Sequence, residues 1–373
     1  MKKISVLMLA FSVAATLLGG CNVVTTEPTE RLGESASSGS SESMGPATPL
    51  EGASLILKMS HGDNDTSMLA DTWNCYARVF KKSLELYSGG EMSVDIYPND
   101  QLGGTESCLE QCSQGTLDIA LSASAGALSG WVPNTSLFDV PYLIDDMDAC
   151  NLVCDGAIKD DVSADLQAAA NMRVLSMLQT DFRNVDTWNK PVRSVEDLSG
   201  LKMRVQELAP HIAMVEAWGA VPTSVAFTEL YSAASTGVID CFENCNYTLF
   251  MNNLFETVNY ITETRHAANV CICVMNQDSW ERLTEEQQDI VTRAAIDARR
   301  ATLGVVTANN VNLLNELEES GVEIIALTDE ERAKFSEACF EEAKAVALQS
   351  VEADFYENFM AAYENAKEML GRN

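Results

Sequence analysis

Basic residues are scarce in this sequence. Its 373 residues include 24 lysines and arginines against 55 aspartates and glutamates, which gives a formal net charge of -31 at pH 7. Because the chain has no concentration of positive charge, we expect neither nucleic acid nor an anionic membrane face as a partner. A small anionic ligand stays compatible with this composition, since one or two well-placed arginines are enough to bind it.

Histidines and reaction motifs are also few. The chain has three histidines, His61, His211 and His266. It contains no HExxH pair, no GxSxG elbow, no GxGxxG turn and no GxxxxGK[ST] loop. These absences disfavour the zinc peptidase, serine hydrolase, dinucleotide and nucleotide classes. We therefore expect a binding protein that is not an enzyme and has no cofactor and no metal site.

Long apolar runs are missing beyond the N-terminus. No later segment reaches the roughly 18 consecutive apolar residues that a membrane-spanning helix needs. The composition is nevertheless 46% hydrophobic and only 21% charged, so most of the chain is able to form a packed core. A chain of this length favours two domains.

The N-terminus is typical of an exported, lipid-anchored protein. Lys2 and Lys3 precede an apolar run over residues 4–18, and the following Leu18-Gly19-Gly20-Cys21 resembles a bacterial lipobox. We predict a signal peptide at 1–20 and a lipidated Cys21 that begins a flexible linker over 21–51, rich in Ser, Glu, Gly, Pro and Thr. This predicts an extracytoplasmic protein held at the cell membrane by its lipid. The alternative is an ordinary signal peptide followed by a chance cysteine.

Ten of the eleven cysteines lie after Cys21. Two pairs are spaced four residues apart in helix-like segments, Cys108 with Cys112 and Cys150 with Cys154. Export permits disulfides, and four thiols could hold zinc if the two helices met. The favoured interpretation is that the cysteines are small buried apolar side chains. The sequence leaves all three possibilities open.

The body of the chain has the rhythm of an α/β protein. Between residues 55 and 121, short strand-like runs alternate with segments of helical period, which predicts a parallel or mixed sheet covered by helices. Further along the chain we expect helices at 145–170, 284–319 and 329–370, and separate strands at 172–178, 182–187, 202–205, 238–242 and 269–275.

Two arginines are candidates for binding an anion. Strand alternation places Met203 and Val205 on one side, and Lys202 and Arg204 on the other. That second side is either an exposed polar face or a strand end that aims a guanidinium into a cleft, where it could bind a carboxylate bidentately. Arg183, at the start of another predicted strand, is the second candidate.

Ordered motifs along this body resemble the solute-binding proteins of TRAP transporters, the DctP-like family. The strand Gly-Leu-Lys-Met-Arg-Val at 200–205 and the Glu-Asn step at 243–244 are among them. The matching segments are 97–103, 115–118, 140–143, 190–205, 218–222, 226–234, 236–244, 260–266 and 276–283. The resemblance implies an α/β two-lobe periplasmic-binding-protein-like fold, with a ligand cleft between the lobes and long bracing helices.

The resemblance also implies domain boundaries and a function. Carried over, lobe I comprises 52–181 plus 270–309, and lobe II comprises 182–269 plus 310–373. Such a receptor captures a small organic acid, a C4-dicarboxylate, a uronate or another sugar acid, by an arginine–carboxylate salt bridge and lobe closure. It then delivers the acid to the membrane permease of the transporter. The alternative that we retain is a cysteine-rich surface lipoprotein with metal or thiol chemistry.

The family's ligand-binding positions map onto five residues. The resemblance implies that Arg204 forms the salt bridge with the ligand carboxylate and that Arg183 often contributes. It further assigns Asn244 to the ligand, Phe227 to the pocket wall and His266 to the neighbourhood of the site. Weaker first-lobe candidates are Ser60, His61 and Glu106.

The sequence departs from the family pattern at three positions near this site. Cys241 and Cys245 stand where glycine and proline are usual, and Gln206 replaces the common proline. A cysteine in place of glycine implies either that the backbone at residue 241 needs no positive φ or that it is strained there. The geometry around Asn244 is therefore the least secure of the assignments.

Overall fold

The computed structural model describes residues 48–65 and 72–372, so the predicted signal peptide, Cys21 and most of the predicted linker lie outside the described residues. The strands are β1 Leu55–Ser60, β2 Met92–Tyr97, β3 Ile119–Ser122, β4 Met172–Thr187, β5 Lys202–Val205, β6 Val221–Ser224, β7 Cys241–Cys245, β8 Tyr260–Asn276 and β9 Glu323–Ile325. The helices are α1 Thr72–Tyr87, α2 Thr105–Ser113, α3 Met147–Val153, α4 Ala157–Ala170, α5 Ala209–Ala217, α6 Leu230–Thr236, α7 Asn246–Met251, α8 Gln277–Glu281, α9 Glu285–Glu319, α10 Asp329–Ala347 and α11 Ala353–Met369.

The strands form one mixed sheet in the order β2-β1-β3-β8-β4-β7-β5-β6, with β9 also paired to β8. Pairing is parallel between β1 and its neighbours β2 and β3, and between β5 and its neighbours β6 and β7. The two long central strands, β4 and β8, run antiparallel to each other. They therefore belong to both halves of the sheet and join a β1–β3 half to a β5–β7 half.

Strand β4 is a single strand of 16 residues, whereas the sequence predicted two shorter ones. Its pairing with β8 is irregular, because the register shifts between Val174 and Ser176, between Gln179 and Phe182, and between Arg183 and Val185. Bulges of this kind bend a strand without ending it. The predicted gap between the two strands corresponds to the second of these irregularities.

Each half of the sheet has its own buried apolar clusters, and helix α9 contributes to both halves. Ile290 and Val291, near its start, pack with Phe80 of the β1–β3 half. Leu313 and Leu317, near its end, pack with side chains of the β5–β7 half. The 35-residue helix therefore braces the two halves, as the resemblance implied.

The predicted C-terminal helix at 329–370 is two helices. Helix α10 packs Phe335 edge-on against Trp218 in the β5–β7 half. Helix α11 packs Phe359 edge-on against Phe138, with ring centroids 5.5 Å apart, in a cluster of the β1–β3 half. The sequence assigned all of 310–373 to lobe II, but α11 packs with residues of lobe I. The other lobe boundaries stay a prediction.

The predicted helix at 145–170 also breaks, after Val153. Helix α3 begins with the Asp146 carboxylate accepting a hydrogen bond from the backbone N–H of Ala149. Gly156 directly precedes α4 in an extended conformation, with φ -116° and ψ -153°, which a continuous helix would not allow. The helical period continues across the break, so the sequence pattern did not reveal it.

The ten cysteines after Cys21 are all buried, and none of them forms a disulfide within the described residues. The sulfur atoms of Cys150 and Cys154 are 3.8 Å apart. Across 48–65 and 72–372, no group of three or more His, Cys, Asp or Glu side chains is placed to hold a metal ion. In the same part of the chain, no helix combines the length and the apolar character needed to cross a membrane.

Candidate ligand-binding site

A cavity of about 890 Å³ opens between the two halves of the sheet. Residues within two positions of the carboxyl ends of strands line it, including Gly62 after β1, Ser124 after β3, Gln206 after β5 and Val225 after β6. Ligand sites of open α/β sheets occur at this edge of the sheet. Both halves therefore contribute walls to one cleft.

Arg204 is a buried cation that faces this cleft without a carboxylate partner. It lies on β5, is 4% exposed and lines the cavity. Its Nε donates a hydrogen bond to the carbonyl oxygen of Val225 at 3.0 Å, and among the described residues no carboxylate lies within ion-pair distance. Burial lowers the pKa of the Arg204 guanidinium to about 10, which still leaves it protonated at neutral pH.

Arg183, by contrast, already has a carboxylate partner. From β4 it forms a buried bidentate ion pair with Glu243 of β7, through Nε to Oε2 and through Nη2 to Oε1. Burial alone would lower the pKa of the Arg183 guanidinium, but the adjoining Glu243 carboxylate outweighs it and raises the pKa above its usual value. Arg183 also lines the cavity, and its Nη1 makes only a long contact of 3.4 Å with Asn269.

Glu243 is completely buried behind the cleft, and two histidines accompany it. Nε2 of His266 lies 3.2 Å from Glu243 Oε2, and Nδ1 of His211 lies 3.9 Å from Oε1. Burial alone would raise the pKa of Glu243, but Arg183 and the hydrogen bond from His266 hold it below its usual value. Burial lowers the pKa of both histidines, in the case of His211 to about 3. Glu243 is thus the anion of this buried group.

His266 lies close to the cleft but behind its wall. The resemblance assigned it to the neighbourhood of the site; it is fully buried and is not among the residues that line the cavity. Its Nδ1 bonds Thr264 at 2.8 Å, its Nε2 faces Glu243, and its ring packs edge-on against Trp218. Through Glu243 it supports the position of Arg183, and the structure gives it no direct access to a ligand.

Asn244 and Phe227 both line the cavity. Asn244, on β7, accepts a hydrogen bond from the backbone N–H of Cys245 through Oδ1, which leaves its amide nitrogen without a partner among the described residues. Phe227 is half-buried in a short 3-10 helix, Phe227–Glu229, at the wall that also carries Val225. The cleft thus brings together Arg204, Arg183, Asn244 and Phe227.

The three departures from the family pattern lie in or beside the strands of the β5–β7 half. Cys241 is a buried residue of β7 that pairs with Thr187 on one side and Met203 on the other, and its φ is not positive. The backbone there therefore does not need glycine. Cys245 and Gln206 both line the cavity.

The β1–β3 half supplies walls that the sequence identified only in part. Glu106 lines the cavity, whereas Ser60 and His61 are buried beside it and the next residue, Gly62, forms the wall. Trp73 and Asp181 also line the cavity, and neither was predicted. Glu243 was missed as well. Its signal in the sequence was its place in the Glu-Asn step of the family motif, next to Asn244.

Comparison with known proteins places this cleft in context. The family model described as bacterial extracellular solute-binding protein, family 7 (DctP), matches residues 66–349. The 2,3-diketo-L-gulonate-binding periplasmic protein YiaO of Escherichia coli is 27% identical over 281 residues, which is 75% of this chain and 84% of that protein. The sialic acid-binding periplasmic protein SiaP of Vibrio cholerae is 28% identical over 261 residues, 70% of this chain and 77% of that protein.

Solved structures agree with the architecture. A TRAP periplasmic solute binding protein of Roseobacter denitrificans with bound L-galactonate has a TM-score of 0.74 at 25% identity, covering 83% of this chain and 99% of that one. The sugar acid binding protein DctPAm of Advenella mimigardefordensis, in complex with galactonate, has a TM-score of 0.79 at 23% identity, covering 84% and 99%. These matches confirm the predicted two-lobe α/β fold.

Proposed function

The chain belongs to the bacterial extracellular solute-binding proteins of family 7, the DctP family of TRAP transporter receptors, and on this premise we propose that it captures a small organic acid through Arg204. A C4-dicarboxylate, a uronate or another sugar acid is the proposed ligand class. The relatives named for diketogulonate, sialic acid and galactonate support it, because each of these compounds carries a carboxylate.

The single observation that carries the proposal is the unpaired charge of Arg204. Removing a charge from water is costly unless an opposite charge and hydrogen bonds compensate for it. Arg204 is 4% exposed and bonds only one carbonyl oxygen among the described residues. A ligand carboxylate would supply the missing anion, and the free amide nitrogen of Asn244 would donate a further hydrogen bond to the ligand.

Arg183 has a secondary role in this proposal. Its Nε and Nη2 are occupied by Glu243, so only Nη1 is left for a ligand. Phe227 would pack against the carbon skeleton. In the proposed mechanism the lobes close around the acid, water leaves the cleft, and each charged contact becomes stronger in the drier surroundings. The closed receptor would then deliver the acid to the membrane permease.

The remaining parts of the proposal concern location and chemistry. We expect the protein to act outside the cytoplasm, held at the membrane by a lipid on Cys21, with lobes close to the predicted boundaries. We also expect no turnover of the ligand. Measuring the intact mass of the membrane-extracted protein tests the lipid, and incubation with the identified acid followed by mass analysis tests for turnover.

The experiment that tests the ligand class is a thermal-shift screen against an organic-acid library, followed by calorimetry. A ligand present at 100 times its Kd stabilises the folded protein by about 2.7 kcal/mol, so binding is readily detected. Arg204→Ala should weaken binding by about 2–5 kcal/mol, a loss of roughly 30-fold or more. Arg193→Ala is the matched control, since Arg193 is exposed and pairs with Glu323 at the surface. Unchanged affinity in Arg204→Ala, or binding of neutral sugars alone, would contradict the proposal.

The alternative of metal or thiol chemistry finds no support. The described cysteines are buried and form no disulfide, and burial raises the pKa of several of their thiols, including Cys271 to about 12. A thiol needs the opposite shift to be a good nucleophile or metal ligand. Elemental analysis of the purified protein checks the metal directly.

A further inference from the structure

Carboxyl groups outnumber cations in the wall of the cleft. The cavity-lining acids are Asp63, Asp100, Glu106, Glu110, Asp181 and Glu207. The cavity-lining cations are Arg183 and Arg204, and Arg183 is already neutralised by Glu243. Asp100, Glu106, Glu110, Asp181 and Glu207 form no ion pair with a lysine or arginine of the described residues. A purely anionic ligand would therefore enter a cleft with an excess of negative charge.

Aromatic side chains share the same cavity wall. Trp73, Trp131, Phe227 and Tyr247 all line the cleft, two from each half of the sheet. The faces of aromatic rings attract cations, and tryptophan does so most strongly. Neighbouring carboxylates and aromatic faces together form the type of surroundings that bind a protonated or quaternary amine. This observation is independent of the charge count and indicates the same kind of ligand group.

Asp181 is the acid that lies deepest in this wall. It lies at the irregularity in β4 between Gln179 and Phe182, two residues from Arg183. Its Oδ1 accepts a hydrogen bond from the backbone N–H of Phe182 at 2.8 Å, while its Oδ2 is buried without any partner in the described part of the chain. Burial raises the pKa of Asp181 to about 6, and this outweighs the backbone hydrogen bonds and the charge of Arg265, which would lower it. An ammonium group in the cleft would place a further positive charge beside this buried acid.

We infer that the ligand is zwitterionic: a small acid whose carboxylate binds Arg204 and whose cationic nitrogen lies against the acidic, aromatic wall that includes Asp181. This inference rests on the proposed function and narrows its ligand class. Arg204 provides the one unpaired cation for the carboxylate among the described cavity residues. The surplus carboxyl groups and the faces of the aromatic rings would compensate the positive charge of the ligand nitrogen. A plain sugar acid or dicarboxylate would leave them uncompensated.

The test compares ligands that share a carbon skeleton and differ in one group. The pairs are D-glucosaminate with D-gluconate, L-aspartate with L-malate, and L-glutamate with L-2-hydroxyglutarate, each measured by calorimetry at neutral pH. In the pair that fits the cavity, we expect the amine-bearing acid to bind at least ten-fold more tightly. Equal or tighter binding of the hydroxy acid in every pair would overturn the inference while leaving the receptor function intact. No binding in any pair would also overturn the inference, whereas the receptor function is contradicted only if no acid of the library binds.

Substitutions in the cleft wall test which residues produce the preference for the amine-bearing acid. Asp181→Asn should reduce the preference for the amine to less than about three-fold while the Kd of the hydroxy acid stays unchanged. Asp289→Asn removes the same charge from an exposed helix position and should leave the preference intact. Trp131→Leu provides a second route should Asp181→Asn fail to fold, and it should also reduce the preference. A preference that survives in Trp131→Leu and in any folded Asp181→Asn would overturn the role of this wall. Arg204→Ala should weaken both members of a pair alike.

Discussion

Replacing Glu243 by glutamine tests the buried charges behind the cleft. Glu243 is 0% exposed and accepts hydrogen bonds from two nitrogens of Arg183, with His266 Nε2 at 3.2 Å. Glutamine keeps the size of the side chain but replaces one of its two acceptor oxygens with an NH2 donor. That donor would face Arg183 or His266. Arg183 would then be a buried cation without a counter-ion.

The expected magnitude follows from the burial of the pair. Removing one member of a buried ion pair costs about 3–5 kcal/mol, because the remaining charge is left uncompensated. The assay is urea denaturation, with the free energy of unfolding extrapolated to water. Glu323→Gln is the matched control: its partner Arg193 lies 2.9 Å away, but both side chains are more than half exposed. That surface pair should contribute less than about 1 kcal/mol.

The same variant has a pH signature. Since Arg183 holds the pKa of Glu243 below its ordinary value of 4.5, the carboxyl stabilises the fold above that pH and loses this contribution as the pH falls. Between about pH 5 and about pH 3, the free energy of unfolding should therefore fall less in Glu243→Gln than in the wild type. A loss no larger than that of Glu323→Gln at neutral pH, or an unchanged acid slope, would refute the reasoning.

Three further predictions concern stability and closure. Burial lowers the pKa of His211 to about 3, so the unfolded chain binds a proton first as the pH falls below 6.5. His211→Leu should therefore reduce the loss of unfolding free energy between about pH 6.5 and 4.5 by about 2 kcal/mol in urea titrations. Tyr247→Phe removes the hydroxyl that accepts a hydrogen bond from the N–H of Thr72 across the cleft, and calorimetry should show ligand affinity reduced about five-fold. An unchanged Kd would argue against this contact as a stabiliser of the closed form. Phe359→Ala should cost about 3–5 kcal/mol of unfolding free energy, since it empties a buried site against Phe138.

Local patterns in the sequence predicted many of the strands and helices. Strand β5 has the predicted bounds because the alternation in Lys202–Val205 reflects one core face and one cleft face, and Arg204 occupies the cleft face. Helix α9 was expected at 284–319 and begins one residue later, after Thr284 caps it by accepting a hydrogen bond from the N–H of Gln287. Regular periodicity and capping are local properties, so one sequence suffices to reveal them.

Features that depend on pairing between distant strands were not predictable in the same way. The Glu-Asn step at 243–244 does not show which cation Glu243 pairs with, because only the antiparallel pairing of β4 with β7 brings it beside Arg183. The position of His266 depends on the irregular pairing of β8 with β4, which places the ring behind Glu243 and behind the wall of the cleft. The packing of α11 likewise depends on a contact between Phe359 and Phe138, more than 200 residues apart in the chain.

The irregular pairing of β4 with β8 has a mechanical consequence. Two register shifts flank Arg183, and on the facing strand Arg265 has a positive φ of 47°. A pair of strands bends most easily where its backbone hydrogen bonding is interrupted. Rotation of the two lobes about β4 and β8 would therefore be centred near Arg183. A residue close to the hinge axis hardly moves when the lobes rotate. Trp131 and Tyr247 lie on opposite walls of the cleft and would be displaced farther. Arg183 would then meet an incoming ligand in the same position in the open and closed forms, and spin labels on the two walls, but not beside Arg183, would report the closure.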